Sequence, residues 1–106
     1  MAYTAANIQT ALLQSLGASI SADTAKVAAI TKEIKMAYVE VAQIMQSEDM
    51  TYDQPNLLWF MLGMYKGTIV AAGITEEAIH LYKVYHDFLD LVMDNRLQDT
   101  KTSEPA

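Results

Sequence analysis

Two histidines and a few acidic side chains are the residues whose types and spacing could do chemistry in this chain of 106 residues. Glu77 and His80 form an ExxH pair, the spacing with which helical di-iron proteins place two ligands on one metal ion. Such a site also needs a second ExxH pair and two further inward glutamates. Lys83 lies three residues before His86, so the second pair is missing. The sequence therefore favours a solvated histidine beside acids, and no metal or other cofactor is expected.

A second possible ion site is the acidic segment SEDMTYDQ at residues 47–54, which contains Glu48, Asp49 and Asp53. An EF-hand loop needs oxygen ligands at alternate positions, a central glycine and a closing glutamate, and this spacing does not match. Helix capping and a hydrated loop are the preferred interpretation. Neither histidine has a serine or threonine at a spacing that defines a known nucleophile motif, so we expect no enzymatic activity.

The hydrophobic periodicity that must position these residues predicts an all-α fold, a small four-helix bundle. It has a short first helix, a long second helix and a C-terminal helical hairpin. The first helix is expected to begin after Thr4 and to stop at Gly17. The second should run to about Gln46, with Ser19 or Ser21 as its cap. Its apolar residues repeat at 3, 4, 3, 4, 3, which predicts one buried stripe: Val27, Ile30, Ile34, Ala37, Val41 and Ile44.

The last two helices are predicted from their cap residues. Pro55 suits the first turn of the third helix, Asp53 is its candidate cap and Gly73 ends it. Thr75 caps the fourth helix, which should reach about Leu97. Because the connection between them is very short, these two helices are expected to be antiparallel neighbours.

Composition limits the class of protein. Hydrophobic residues make up 52% of the chain, and four glycines and two prolines are few, which favours an ordered helical domain over residues 1–97 with a flexible polar tail over residues 98–106. The net charge of −6 and the seven scattered basic residues argue against nucleic acid binding. Without cysteine, the chain has no disulfide, thiolate metal site or cysteine nucleophile.

The third predicted helix is unusual because residues 57–74 are apolar almost all the way round and carry one charge, Lys66. Eighteen such residues approach the length of a membrane span. A lysine at the midpoint costs about 2.5 to 3.5 kcal/mol on insertion scales, and no basic cluster flanks the segment. A membrane span is therefore not expected, and a core helix is the preferred interpretation.

One face of this helix has small residues at i, i+4 and i+8, which lets another backbone come close. Each helical glycine costs about 1 kcal/mol relative to alanine, so two on one face need a packing reason. Either another helix of the chain fills this groove or a second chain does. We expect partner binding through this glycine face: Trp59, Phe60, Gly63, Gly67, Val70 and Ala71.

The sequence thus predicts a non-enzymatic interaction or assembly protein that forms a homo-oligomer or binds a protein partner, with a cytoplasmic location. One alternative is a small-molecule- or metal-binding bundle, enzymatic or not, that uses a cavity lined by methionine and tyrosine or a site near Glu77 and His80. Another is an exported subunit or secretion-associated adaptor, suggested by the uncharged first 22 residues. No basic residue precedes their apolar part, so a cleaved signal is not expected.

Overall fold

The computed structural model describes the backbone of residues 2–47 and 49–102 and the side chains as far as Asp94. Within these residues the chain is all-α, as predicted, and forms helices with no strand. The predicted order of a short helix, a long helix and a C-terminal hairpin is confirmed. One helical turn, α2, is added where a turn is predicted. The helices are α1 (Ala5–Leu16), α2 (Ala18–Ser21), α3 (Thr24–Met45), α4 (Asp53–Ala72) and α5 (Glu76–Thr102).

α1 begins and ends where the sequence predicts. The Thr4 hydroxyl accepts a hydrogen bond from the backbone N–H of Asn7 at 3.2 Å, and the Asn7 amide oxygen accepts one from the backbone N–H of Thr4 at 3.0 Å. This reciprocal capping box satisfies two N–H groups that the first turn leaves without helical partners. Gly17 ends the helix with φ at +95°, a conformation that a side chain would strain.

Two predicted caps are wrong, because each helix begins at a different residue from the one expected. Asp23 caps α3, since its carboxylate accepts from the backbone N–H of Lys26 at 3.2 Å. Ser21 instead belongs to α2 and donates its hydroxyl to the Ala18 carbonyl oxygen. Asp53 is the first residue of α4 rather than its cap, and there its negative charge faces the positive end of the helix dipole.

The hairpin of α4 and α5 is confirmed, with Gly73 ending α4. The Thr75 hydroxyl accepts from the backbone N–H of Ala78 at 3.1 Å, as its predicted cap role requires. α5 continues to Thr102, so the boundary predicted at residue 97 lies inside the helix. Residues 103–106 of the predicted tail lie outside the described residues.

α4 lies at the centre of the bundle and contacts α1, α3 and α5. α5 packs chiefly on α4, whereas α3 packs on α1 and α2 as well. The Trp59 indole N–H of α4 donates to the Ile34 carbonyl oxygen of α3 at 2.9 Å. The largest part of the core comprises Ile8, Leu12, Ile30, Ile34, Ala37, Val41, Leu58, Trp59, Leu62, Tyr85 and Val92. Four of the six residues predicted for the α3 stripe are thus buried, and Val27 and Ile44 are half-buried.

No helix in the described part of the chain combines the length and apolar character that crossing a membrane requires. Lys66, the one charge in the apolar stretch of α4, lies 3.6 Å from the Glu40 carboxylate of α3. Both side chains are partly exposed, so this ion pair reaches water at the edge of the bundle.

The segment before α1 is tied to α4 by Asn56, a buried polar residue. Its amide oxygen accepts from the backbone N–H of Tyr3 at 2.6 Å, and its amide nitrogen donates to the Tyr3 carbonyl oxygen at 2.9 Å. The Tyr3 ring stacks on Phe60 with ring centroids 4.3 Å apart. These contacts fix where the chain enters α1.

Replacing this amide should loosen the N-terminal segment. We expect Asn56→Ala to lower the free energy of unfolding by about 1–3 kcal/mol, because both Tyr3 backbone groups lose their partner. Urea unfolding followed by circular dichroism measures the change. Thr10→Ala is the control, since Thr10 lies exposed on α1 and its loss should change stability by less than about 0.5 kcal/mol. Equal stability of the two variants would contradict this role of Asn56.

Candidate interaction surface

The glycine face of α4 is covered by α1 of the same chain. A β-carbon added to Gly63 would lie 3.1 Å from Cγ2 of Ile8, and one added to Gly67 would overlap Cδ2 of Leu12. Ile8 and Leu12 are fully buried in these positions. The groove predicted to receive a second chain is therefore occupied from within, and the internal alternative describes this structure. Because Gly63 and Gly67 have no side chain, Ile8 and Leu12 of α1 occupy the space beside them.

The other four residues of the predicted set do not form an open surface together. Trp59 and Ala71 are buried, and Phe60 is half-buried under Tyr3. Val70 is the member that faces solvent, with 39% of its surface exposed. Of the predicted partner-binding residues, only Val70 is thus largely available to another molecule in this structure.

The C-terminal end of α4 is closed by a long-range hydrogen bond. The Lys26 ammonium group of α3 donates to the Ala71 carbonyl oxygen at 2.9 Å. A cation there satisfies one of the carbonyl groups that a helix end leaves without partners, and it complements the negative end of the helix dipole. This contact places the start of α3 beside the turn of the α4–α5 hairpin.

α5 carries two apolar stripes with the same 3, 4, 3, 4 spacing, displaced from each other by one residue. The first stripe faces α4, and its members are buried or half-buried: Ala78, Leu81, Tyr85, Phe88 and Val92. One residue further along, and about 100° round the helix, lies the second stripe: Ile79, Tyr82, His86, Leu89 and Met93. The sequence does not single out this second stripe, because the two patterns overlap and together look like one wide amphipathic face.

The second stripe lies towards solvent at its N-terminal end. Ile79 is 60% exposed and Tyr82 is 46% exposed. His86, Leu89 and Met93 are half-buried, and Leu89 also touches the core. The spacing is that of a helix that packs against another helix, and α4 covers the first stripe more completely than the second, which it meets through Tyr65 and Tyr82.

A small apolar hollow joins the second stripe to the turn of the hairpin. Its volume is about 150 Å³, and its floor includes Tyr65 and Ile69 of α4. Ile79 and Tyr82 line it from α5, and Ile74 lies at its edge with 81% of its surface exposed. We call the second stripe together with Ile74 the hairpin surface.

Aromatic contacts hold the centre of the hairpin surface in place. The ring of Tyr82 lies 5.1 Å from that of Tyr65 on α4 and 4.3 Å from that of His86 one turn along α5. His86 also meets the buried Tyr85 ring at 5.4 Å between centroids. Rings fixed by their neighbours lose less conformational freedom when they are buried by a partner.

The described histidines and acidic side chains do not gather into a site. Glu77 and His80 are both exposed on α5. In the part of the chain that the structure describes, no three histidine or acidic side chains come together as a metal site. Asp49 accepts hydrogen bonds from the hydroxyl and backbone N–H of Thr51, which lower the pKa of its carboxyl, and so it stabilises a turn. Glu48 lies outside the described residues.

The methionine- and tyrosine-lined cavity of the ligand-binding alternative corresponds to one open hollow beside the start of α4. It has a volume of about 460 Å³ and is open to solvent. Its lining comprises Met45, Ser47, Tyr52, Asp53, Gln54 and Pro55. Buried binding sites enclose most of a ligand and bring a few polar groups to bear on it. This hollow lies at the surface, between the end of α3 and the start of α4.

No protein-family model, curated protein or solved structure matches this chain at a significant level.

The close contact of α1 with α4 predicts a coupling between Gly67 and Leu12. We expect Gly67→Ala to lower the free energy of unfolding by about 1–2 kcal/mol, because the overpacking of Leu12 exceeds the gain in helix propensity. In a Leu12→Ala background the same change should be neutral or stabilising, since the new methyl group enters the space that leucine leaves. A double-mutant cycle by urea unfolding measures this. Equal destabilisation in both backgrounds would mean that Leu12 does not cover Gly67.

The buried Tyr85 phenol predicts a loss of stability at alkaline pH. Burial, and secondly the negative charge of Glu40, raise its pKa from 10.0 to about 12. The unfolded chain therefore releases this proton near pH 10, before the folded chain does. The stability that Tyr85 contributes is complete below pH 10 and is lost as the pH rises towards 12.

We expect the free energy of unfolding to fall less between pH 9 and pH 11.5 in Tyr85→Phe than in the unsubstituted protein. Urea unfolding at several pH values is the measurement. Tyr52→Phe serves as the control, because Tyr52 is exposed and should leave the pH profile as it is. An unchanged profile in Tyr85→Phe would contradict the raised pKa.

Proposed function

We propose that this chain is a non-enzymatic interaction protein that self-associates or binds a partner helix through the hairpin surface. The observation that supports this is the second stripe of α5, which has the spacing of a helix–helix contact and whose N-terminal residues, Ile79 and Tyr82, are exposed. The proposal keeps the class of function predicted from the sequence. It moves the surface from the glycine face, which α1 covers, to the outer side of the hairpin.

Isolated exposed apolar residues are common and need no explanation, so the grouping of these residues matters. Leu91 is as exposed as Ile79, but it lies about 120° away round α5 and outside both stripes. Ile79 and Tyr82, by contrast, adjoin Ile74 around one hollow and continue into the rest of the stripe. The hairpin surface is therefore a continuous area that a second helix could cover.

Approximate energies indicate that the surface must act as a whole. Full burial of one large apolar side chain contributes about 1.5–3 kcal/mol, whereas association costs about 4–15 kcal/mol in lost translational and rotational freedom. Ile79 or Tyr82 alone would not overcome that cost. Several members of the stripe buried together would do so, which a partner helix lying along α5 achieves.

The ligand-binding alternative has weaker support among the described residues, because its hollow is open and Glu77 and His80 are solvated. A cytoplasmic site of action remains part of our proposal, and the absence of cysteine from the sequence fits a reducing compartment.

Charge placed in the hairpin surface should remove the association and leave the fold intact. We expect Ile79→Lys to abolish oligomers, or binding of a partner, with an unchanged circular dichroism spectrum, because Ile79 contributes little to the core. Leu91→Lys is the matched control, on the same helix with the same 60% exposure. Sedimentation velocity over a range of concentrations measures self-association, and affinity capture with each variant as bait measures partner binding.

The proposal would be contradicted if the protein is strictly monomeric and the unsubstituted form, Ile79→Lys and Leu91→Lys all capture the same partners. It would also be contradicted if the protein is monomeric and none of the three captures a partner.

A further inference from the structure

We infer that the second stripe of α5 is covered by α5 of a second copy of this chain, in an antiparallel pair with two-fold symmetry. This inference rests on the proposed function and names its partner. It is argued from the charges that flank the stripe. Lys83 and Asp90 have opposite charges, both are exposed, and both lie beside the stripe on α5.

The two charges lie on the same edge of the stripe. At 100° per residue, Lys83 is about 40° and Asp90 about 20° round the helix from Ile79, in the same direction. They are seven residues apart, which is about 10.5 Å along the helix axis. A two-fold axis perpendicular to the helices, between the two residues, reverses their order in the second copy. Lys83 of each copy then lies beside Asp90 of the other. By symmetry this contact occurs twice in the dimer, giving two ion pairs.

The apolar residues match in the same arrangement. When Tyr82 lies opposite Met93 of the second copy, His86 lies opposite Leu89, and the symmetry repeats both layers. In this register Lys83 of one copy and Asp90 of the other are offset by two residues along the helix axis. This offset is about 3 Å, which a lysine side chain can span. The register thus aligns four residues of the stripe with the Lys83–Asp90 pairs, and Ile79 lies beyond these two layers, level with residue 96 of the second copy.

A parallel pair does not provide this match. In a parallel pair each edge of the stripe faces the opposite edge of the partner helix. That opposite edge is formed by Tyr85 and Val92, which are buried against α4. Lys83 would face neither an acid nor an accessible surface there. Charge complementarity therefore selects the antiparallel orientation.

Asp94 lies on the same edge as Asp90 and is also exposed. In the proposed register, Lys83 of the second copy is level with Val92. Asp90 lies two residues before that level and Asp94 two residues after it. Each lysine is therefore placed between two carboxylates of the other chain. Reversing the charge of Lys83 affects both contacts, whereas reversing the charge of Asp90 affects one.

The test uses two single variants, Lys83→Asp and Asp90→Lys, each analysed alone and in an equimolar mixture. Alone, each should weaken the dimer, by about tenfold or more in the dissociation constant for Lys83→Asp and by less for Asp90→Lys, because like charges meet twice in each homodimer. In the mixture both charge pairs are restored in the heterodimer. Native mass spectrometry should then find the heterodimer well above the statistical half of all dimers.

The controls are Lys35→Asp and Glu77→Lys, which make the same changes of charge at exposed positions away from the stripe. We expect them to leave the dimer unchanged and to mix statistically. All four substituted residues are exposed, so circular dichroism should report a folded protein in every case.

The possible outcomes separate this inference from the proposed function. A dimer that Ile79→Lys abolishes, but whose stability and mixing do not respond to Lys83 and Asp90, overturns the antiparallel pairing and leaves the hairpin surface as the interface. A monomer that loses a different protein partner on Ile79→Lys overturns self-association and retains the proposed function. Preferential heterodimers from the two variants, with statistical mixing of the controls, support the inference.

Discussion

The close contact between α1 and the backbone of α4 is the interaction on which the rest of the arrangement depends. Ile8 and Leu12 lie against the backbone at Gly63 and Gly67, so a short helix can pack closely on this side of α4. Tyr65 lies about 180° round α4 from these glycines, and that side receives α5. α1 and α3 thus meet each other as well as α4, whereas α5 is left with α4 as its main support. The N-terminal part of the second stripe of α5 is exposed, because no further helix in the described part of the chain covers it.

Much of this fold could be predicted from local chemistry. The capping groups of Thr4 and Thr75, the stops at Gly17 and Gly73 and the single stripe of α3 are properties of short segments, and each is found where the sequence indicates it. The wrong caps have a common cause. Ser21 and Asp23 are both good capping residues, and the choice between them depends on the extra turn of α2, which four residues of weak helix preference do not reveal. The predicted end of α5 at about Leu97 is wrong for a different reason: the polar residues from Gln98 to Thr102 include no glycine or proline that would stop the helix.

The candidate site is less predictable, because it depends on which helix covers which face. The small residues of α4 correctly indicate a close backbone approach, but they do not identify the helix that approaches. In α5 the two stripes differ by one residue, and a sequence pattern alone cannot say which of them points at α4. Three-dimensional packing decides this: Ala78, Tyr85 and Val92 are buried, and Ile79 is left outside. A surface of this kind consists of the apolar residues that the packing of the core leaves exposed, and packing is not visible in a sequence pattern.

The dependence of α5 on a single neighbour has a consequence for the energetics of the bundle. Cooperative units of a protein open with free energies that follow the contacts each unit must break. α5 can separate from α4 without disturbing the contacts among α1, α3 and α4, so its release is one sub-global opening that this architecture allows. Such an opening exposes the first stripe, with Tyr85 and Val92, as well as the second. A molecule that binds only the docked form of α5 would suppress this opening by mass action, so that occupation of the outer stripe and local folding of the hairpin become thermodynamically linked.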